Sequence, residues 1–273
     1  MKEIKAKEIT QAVVELVRQA NFSLRSDILS VLRTAYKAEA CKQARKNIKA
    51  ILDNAAIAKK NSLAICQDTG MPVVFVQLGT GVKISGDLKA AINKGIGEGY
   101  RKYYLRNSVI KDPLSRGKPG FSPCIMHSDI VNGDKVKLTL LPKGFGCENK
   151  SQLKMFKPTV EIGEIKKFIV EAVKSAGPDA CPPYFIGVGI GGTADYSAVL
   201  AKKALLTRLT VKNSKLEQDL LREINKTCIG PMGLGGKTTA LAVKVKKYST
   251  HIAGLPVSVN ISCHALRSAS VTL

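Results

Sequence analysis

The spacing of apolar positions changes along the chain, and each change marks a different kind of element. Ile9, Val13, Leu16 and Val17 recur three and four residues apart, which is the spacing of one helical face. Ser23 to Ala38 carries Ile28, Leu29, Val31 and Leu32 in a similar pattern, and the Ala- and Lys-rich run from Ala40 to Lys59 is strongly helix-forming. The N-terminal quarter is therefore predicted to be helical. From Ala64 the texture is different: Val73 to Leu78 is β-branched and apolar and stops at Gly79 and Gly81, which predicts a buried strand. A helix is expected from Ser85 to Tyr104, despite Gly95, Gly97 and Gly99, and the Pro- and Gly-rich segment from Lys111 to Pro123 reads as a loop. Ile125 to Val131 and Lys135 to Leu141 read as two strands joined by Asn132-Gly133-Asp134, a strong hairpin signal. Further on, Ile162 to Ser175 and Ser197 to Leu206 read as helices, and Tyr184 to Val188, Thr239 to Val245 and Leu255 to Ile261 as strands. No repeat or low-complexity linker interrupts this order. The expected fold is α/β: a helical N-terminal part followed by mixed β-sheets with flanking helices, packed as a single compact unit over residues 1–273.

Composition narrows the class. Apolar residues make up 45% and charged residues 23%, the balance of a soluble globular chain. No stretch approaches the roughly 20 apolar residues that cross a bilayer. The net charge of +22 would by itself suit nucleic acid, an anionic surface or acidic small molecules. The lysines are scattered, however, with only short runs such as Lys244-Val245-Lys246-Lys247, and no long basic tail appears. With 5% aromatics and no Trp, base-stacking platforms are also disfavoured. Neither nucleic acid nor membrane is therefore expected as a partner, and the positive field suits a dicarboxylate, an acidic subunit or equally a plain Lys-rich solvated surface. The rival from another class is a basic nucleic-acid-binding protein, which would bind strands with steep salt dependence. Met1-Lys2-Glu3-Ile4-Lys5 leads into an amphipathic stretch without an apolar signal core, so a cytoplasmic location is expected. In that compartment the seven cysteines are read as thiols or metal ligands, not as disulfides.

Two glycine motifs invite a nucleotide reading and fail it. Gly187-Val188-Gly189-Ile190-Gly191-Gly192 follows a strand, but no acidic residue stands about twenty positions on to hold a ribose. A tight glycine turn that admits a close backbone approach is the better reading. Gly235-Gly236-Lys237-Thr238 resembles the end of a phosphate-binding loop, yet Pro231 occupies the position of its first glycine, and Pro has no N–H to offer a phosphate.

The cysteines form no C-x-x-C pair, so a metal site must be assembled from distant segments. Cys66, before Gln67-Asp68-Thr69-Gly70, Cys181, before Pro182-Pro183-Tyr184, and Cys263, before His264, all fall in turn-like settings or at strand ends. Spacing alone leaves each of them open to the plainer role of a small buried hydrophobe.

The block Ile65-Cys66-Gln67-Asp68-Thr69-Gly70 resembles the signature of class I fumarate hydratases and of L-tartrate dehydratase alpha subunits. Matches continue in order at Leu105-Arg106-Asn107, Lys143 to Lys150, Ala180 to Tyr184, Ile190 to Thr193 and Asn260 to Ala265. The resemblance implies a [4Fe-4S] cluster ligated by Cys66, Cys181 and Cys263, with one iron open to substrate. It implies that Gln67, Asp68, Arg106 and the Gly146 backbone contact the substrate, with Asp68 as the acid/base candidate of this chain. Those roles suit the groups: Arg106 can clamp a carboxylate through its fork, and Gln67 and the Gly146 N–H can donate hydrogen bonds. His127 and His264 are left without a role. The resemblance further implies reversible hydration of fumarate to L-malate, or dehydration of L(+)-tartrate, with a separate beta subunit completing the active site and the pair dimerising to a heterotetramer. Two departures stand out: Cys147 where Ser is usual, which leaves a ligand swap open, and Ala265 to Ala269 in place of a more basic stretch, of which Arg267 is the remnant.

Overall fold

The computed structural model describes residues 2–209 and 212–273. It begins with β1 (Lys2–Lys5), α1 (Ala6–Phe22), α2 (Ser26–Ala38) and α3 (Lys42–Asn61). There follow β2 (Met71–Gly79), β3 (Val82–Ser85), α4 (Leu88–Lys102), β4 (Ile125–Val131) and β5 (Val136–Lys143). The second half runs α5 (Phe145–Glu148), β6 (Gln152–Phe156), α6 (Ile162–Ala176), β7 (Tyr184–Gly192), α7 (Ala194–Leu205) and α8 (Lys215–Asn225). It closes with β8 (Ala240–Thr250), β9 (Leu255–Ser262) and β10 (Ala269–Thr272). The α/β class, with a helical beginning and mixed sheets flanked by helices, is as the sequence predicts. Two compact units share the chain: unit 1 holds Met1–Arg25, Ala55–Gly144 and Arg267–Leu273, and unit 2 holds Ser26–Asn54 and Phe145–Leu266.

In unit 1, a sheet of order β10-β5-β2-β4 is covered on one face by α1 and α4. Ile9, Val13, Leu16 and Val17, the helical stripe of the sequence, pack with Ile92, Ile96 and Tyr100 of α4 and with Val74, Val76, Leu138 and Leu140 of the sheet. The glycines of α4 have a steric cause: a Cβ on Gly95 would lie 2.7 Å from the Thr10 carbonyl oxygen, and one on Gly99 would lie 2.9 Å from Val17 Cβ. They are the line along which the two helices approach.

The expected hairpin of β4 with β5 does not form. β2 lies between them, parallel to β4 and antiparallel to β5. Its Val73, Val74, Phe75 and Val76 are all buried, so it is apolar on both faces and is best satisfied as a central strand. The Asn132-Gly133-Asp134 turn instead wraps the end of β2, accepting the Gly81 N–H on the Gly133 carbonyl at 2.8 Å.

In unit 2 the sheet has order β6-β9-β7-β8. Tyr184, Ile186 and Val188 of β7 face a core built with Ile165, Ile169 and Val173 of α6 and Leu220 and Ile224 of α8. On the opposite face α7 sits against Gly187 and Gly189, where a Cβ would come within 2.1 Å of the Ala201 carbonyl oxygen and 2.0 Å of that of Ser197. The close backbone approach expected of these glycines is present, but within a strand and not in a turn. Helix α8 is an element the hydrophobic pattern did not reveal, although its signature is legible. Ser214 accepts the Glu217 N–H at 3.3 Å while the Glu217 carboxylate accepts the Ser214 N–H at 2.7 Å, a capping box. Gly235 and Gly236 take positive φ, and the Thr238 hydroxyl beside them donates to the buried Glu39 carboxylate at 2.7 Å, so this turn serves packing.

Candidate active site

The loop carrying Cys66, Gln67 and Asp68 enters β2 within unit 1, and it is held from behind. Ile65 N–H donates to the Asn21 carbonyl at the end of α1 at 3.0 Å. The Thr69 hydroxyl donates to the Arg106 carbonyl at 3.1 Å, so two matching motifs are tied directly together. The Tyr100 hydroxyl donates to the Thr69 carbonyl at 3.0 Å, and Arg267 Nη2 donates to the Asp68 carbonyl at 2.7 Å. Burial pushes the Tyr100 phenol well above its ordinary value, so it stays a donor throughout the physiological range. Gly70 completes the turn with φ +79, and a Cβ there would lie 2.7 Å from the Pro142 carbonyl carbon, so the close approach requires glycine.

With its carbonyls engaged inward, the loop turns functional side chains outward. Gln67 is exposed, and Cys66 and Asp68 are half-buried. Asp68 Oδ1 accepts the Gly70 N–H at 3.0 Å, the turn role that an Asp-Thr-Gly setting favours. Its other oxygen faces Gly144, where a Cβ would lie 3.2 Å away. Arg106 is exposed, and among the described residues its guanidinium has no acidic partner, which leaves the fork available to a carboxylate.

Unit 2 carries the other two cysteines at one end of its sheet. Cys181 precedes β7 and Cys263 follows β9, and these strands are antiparallel neighbours with Phe185 opposite Ser262. Strand register therefore brings the two segments together. His264 closes the gap, with its N–H 3.4 Å and its Nδ1 3.1 Å from the Cys181 carbonyl oxygen. Gly146 is exposed in the first turn of α5, where N–H groups have no intrahelical partner. Asn260 anchors that turn by donating to Glu148 Oε2 at 3.0 Å and to Ser151 Oγ at 2.8 Å.

None of the seven cysteines is in a disulfide, and they sort by environment. Cys124 and Cys147 are buried, and burial pushes the Cys124 thiol up to about 11, which disfavours the thiolate a metal needs. Cys181 is exposed, while Cys66 and Cys263 are half-buried. Among the described residues no group of three or more His, Cys, Asp or Glu side chains is gathered to hold a metal ion. The pair at the ends of β7 and β9 nonetheless fits the donor chemistry of an iron–sulfur cluster, which takes thiolates from separate segments and spreads them wider than a single ion does.

Sequence reasoning missed the groups behind the loops. Asn21 and Tyr100 carry no motif and became identifiable only through their partners, while Asn260 opens the matching Asn260 to Ala265 segment but was given no role there. Arg267 was visible as the remnant of a basic stretch, but not as a buried guanidinium joining the Asp68 carbonyl to Asn21 Oδ1, which lies 3.3 Å from Nη1.

The family model described as fumarate hydratase (Fumerase) matches residues 10–272. A Methanocaldococcus jannaschii protein named "Putative L(+)-tartrate dehydratase subunit alpha" is 38% identical over 277 residues, covering 96% of this chain and 96% of that protein. The "L(+)-tartrate dehydratase subunit alpha" of Escherichia coli strain K12 is 26% identical over 269 residues, covering 95% of this chain and 89% of that protein. With a match that runs nearly from end to end, the chain belongs to the fumarate hydratase family of hydro-lyases.

Proposed function

We propose that this chain is the alpha subunit of a two-subunit [4Fe-4S] hydro-lyase that hydrates fumarate reversibly to L-malate. Cys66, Cys181 and Cys263 would hold the cluster, whose open iron supplies a Lewis acid for a substrate hydroxyl and carboxylate. The observation that carries the reading is the meeting of Cys181 and Cys263 at one end of β7 and β9, in a chain whose family match includes both. The remaining work falls to side chains of this chain. Arg106 binds a carboxylate through its unpaired fork. Gln67 and the Gly146 N–H donate hydrogen bonds that orient the diacid. Asp68 moves the proton at the carbon next to the one bearing the hydroxyl, its carboxylate steadied by the Gly70 N–H. The word "subunit" in the relatives' names supports a separate beta chain, and in this proposal the assembled pair dimerises in the cytoplasm to a heterotetramer.

A second reading, dehydration of L(+)-tartrate, is favoured by those same names. It differs only in accommodating a second hydroxyl. The test is anaerobic reconstitution with iron and sulfide, addition of the beta subunit, and parallel assays with fumarate, L-malate and L(+)-tartrate. Activity on fumarate and malate that appears only in the mixture is expected. Turnover of tartrate alone would select the second reading, and full activity without the beta chain would overturn the two-subunit proposal. Iron-independent binding to nucleic acid that weakens steeply with salt would instead favour the rival basic-protein reading.

A further inference from the structure

Cys147 lies buried against the segment that carries Cys181, and its surroundings assign it a task. It is 6% exposed and packs in the unit 2 core with Ala180, Tyr184 and Ile261. Its thiol donates to the Ala180 carbonyl at 3.3 Å. That carbonyl belongs to a loop gripped along most of its length. The Gly177 carbonyl accepts from the Tyr184 hydroxyl at 2.5 Å, that of Pro178 from the Cys181 N–H at 3.1 Å, and that of Pro182 from the Met232 N–H at 2.8 Å. The Cys181 carbonyl is the one met by His264. Within this grip Cys181 adopts φ +57, a left-handed conformation that costs a non-glycine residue about 1–2 kcal/mol and persists only where its neighbours over-determine it.

We propose that Cys147 is a positioning residue, whose thiol holds the Ala180 carbonyl and so maintains the left-handed turn that aims Cys181 outward. The proposal rests on the reading of Cys181 as a cluster ligand. A ligand role for Cys147 itself conflicts with its geometry: a metal takes the thiolate, whereas the contact with a carbonyl oxygen requires the S–H as donor. A serine hydroxyl can donate in the same direction, so Ser at this position does the same work.

Two variants of the full-length chain separate the donor from the volume. Cys147→Ser keeps a donor, and Cys147→Val keeps the bulk without one. Hydrogen exchange at the Cys181 and His264 amides of the metal-free chain is expected to be about fivefold faster in Cys147→Val, the effect of losing roughly one hydrogen bond. Cys147→Ser should stay within about twofold of the parent, the scatter allowed for a conserved donor. After anaerobic reconstitution, Cys147→Ser should hold as much iron per chain as the parent. Unchanged exchange in Cys147→Val, or equal acceleration in both variants, would overturn the proposal. Loss of iron in Cys147→Ser with unaltered exchange would identify Cys147 as a ligand and overturn it as well. If the parent chain takes up no iron, the cluster reading fails, while the exchange series still decides the role of Cys147 in the loop.

Discussion

The two units present cysteines by different means. In unit 1 the loop of Cys66 depends on long side chains that reach in from distant segments: Tyr100 from α4 and Arg267 from the start of the C-terminal strand segment. In unit 2 the placement of Cys181 and Cys263 follows first from the register of β7 with β9, and the local grip comes from backbone amides, one thiol, the Tyr184 hydroxyl and His264. A loop held by single buried donors fails when one is removed, because the acceptor left behind is buried without water. A loop held by strand register shares its load over a ladder of bonds. The first arrangement rests throughout on such donors, whereas in the second they only supplement the ladder, through the Cys147 thiol and the Tyr184 hydroxyl.

The largest expected effect separates chemistry from scaffolding. Asp68→Asn keeps an acceptor for the Gly70 N–H but cannot exchange a proton, so kcat of the assembled enzyme should fall by about 10²–10⁴ while the unfolding midpoint stays unchanged. A parallel loss of stability would mean that Asp68 is a turn residue first.

Next comes Arg267→Leu, which strips a donor from the Asp68 carbonyl and from Asn21. Each abandoned acceptor costs about 1–3 kcal/mol, partly offset because Arg267 Nε is itself buried with no partner among the described residues. Urea unfolding should register a net loss of about 2–4 kcal/mol. A loss below about 0.5 kcal/mol would break the contrast between the units, since that is the size of an ordinary surface change.

Tyr100→Phe removes one buried donor and should cost about 1–1.5 kcal/mol near neutral pH. It also carries a pH signature. The folded-state phenol is raised by burial, so the unfolded chain ionises first as pH rises above about 10. Stability from this group is present below that value and is lost above it, because the native state then binds more protons than the unfolded one. Denaturation followed from pH 9 to 11 should fall less steeply in the Phe variant than in the parent, a difference that only ionisation of this phenol predicts.

The smallest effect belongs to unit 2. Lys150→Ala breaks the 2.9 Å pair with Asp179 beside the Cys181 loop, but Asp179 is largely exposed, so the change should stay within about 0.5 kcal/mol. A cost as large as that of Tyr100→Phe would place the two loops in the same class.

Much of the fold was legible in the sequence. The stripe Ile9, Val13, Leu16 and Val17 faces the unit 1 core, and the apolar run from Val73 to Leu78 is a buried strand, because burial imposes a period that composition records. Pairing was less legible. Asn132-Gly133-Asp134 has the composition of a hairpin turn, and nothing local reveals that β2, from fifty residues earlier, takes the place between the strands it joins. Strand β6 is mostly exposed and shows no clear alternation, and the C-terminal β10 alternates Ala269 and Val271 with Ser270 and Thr272 over only four residues, too short a run to stand out. Of the candidate site, the outward groups were legible as motifs, whereas Asn21 and Tyr100 were not, and the anchoring role of Asn260 was not, since a buried donor is recognisable only by the carbonyl or carboxylate it meets.

The sequence by itself determined which residues can do chemistry: a thiol beside Gln67 and Asp68, two more beside Pro182 and His264, and an arginine in an exposed motif. It also determined the helical and strand periods that build each unit. Only the tertiary structure decided that Cys181 and Cys263 share one end of a sheet, that Arg106 has no acidic partner among the described residues, and that Cys147 turns its thiol to a carbonyl. The physical reason is that side-chain chemistry and backbone period are local properties of the chain. Which donor meets which acceptor depends instead on strand order and register, and these are set by contacts between residues far apart in sequence.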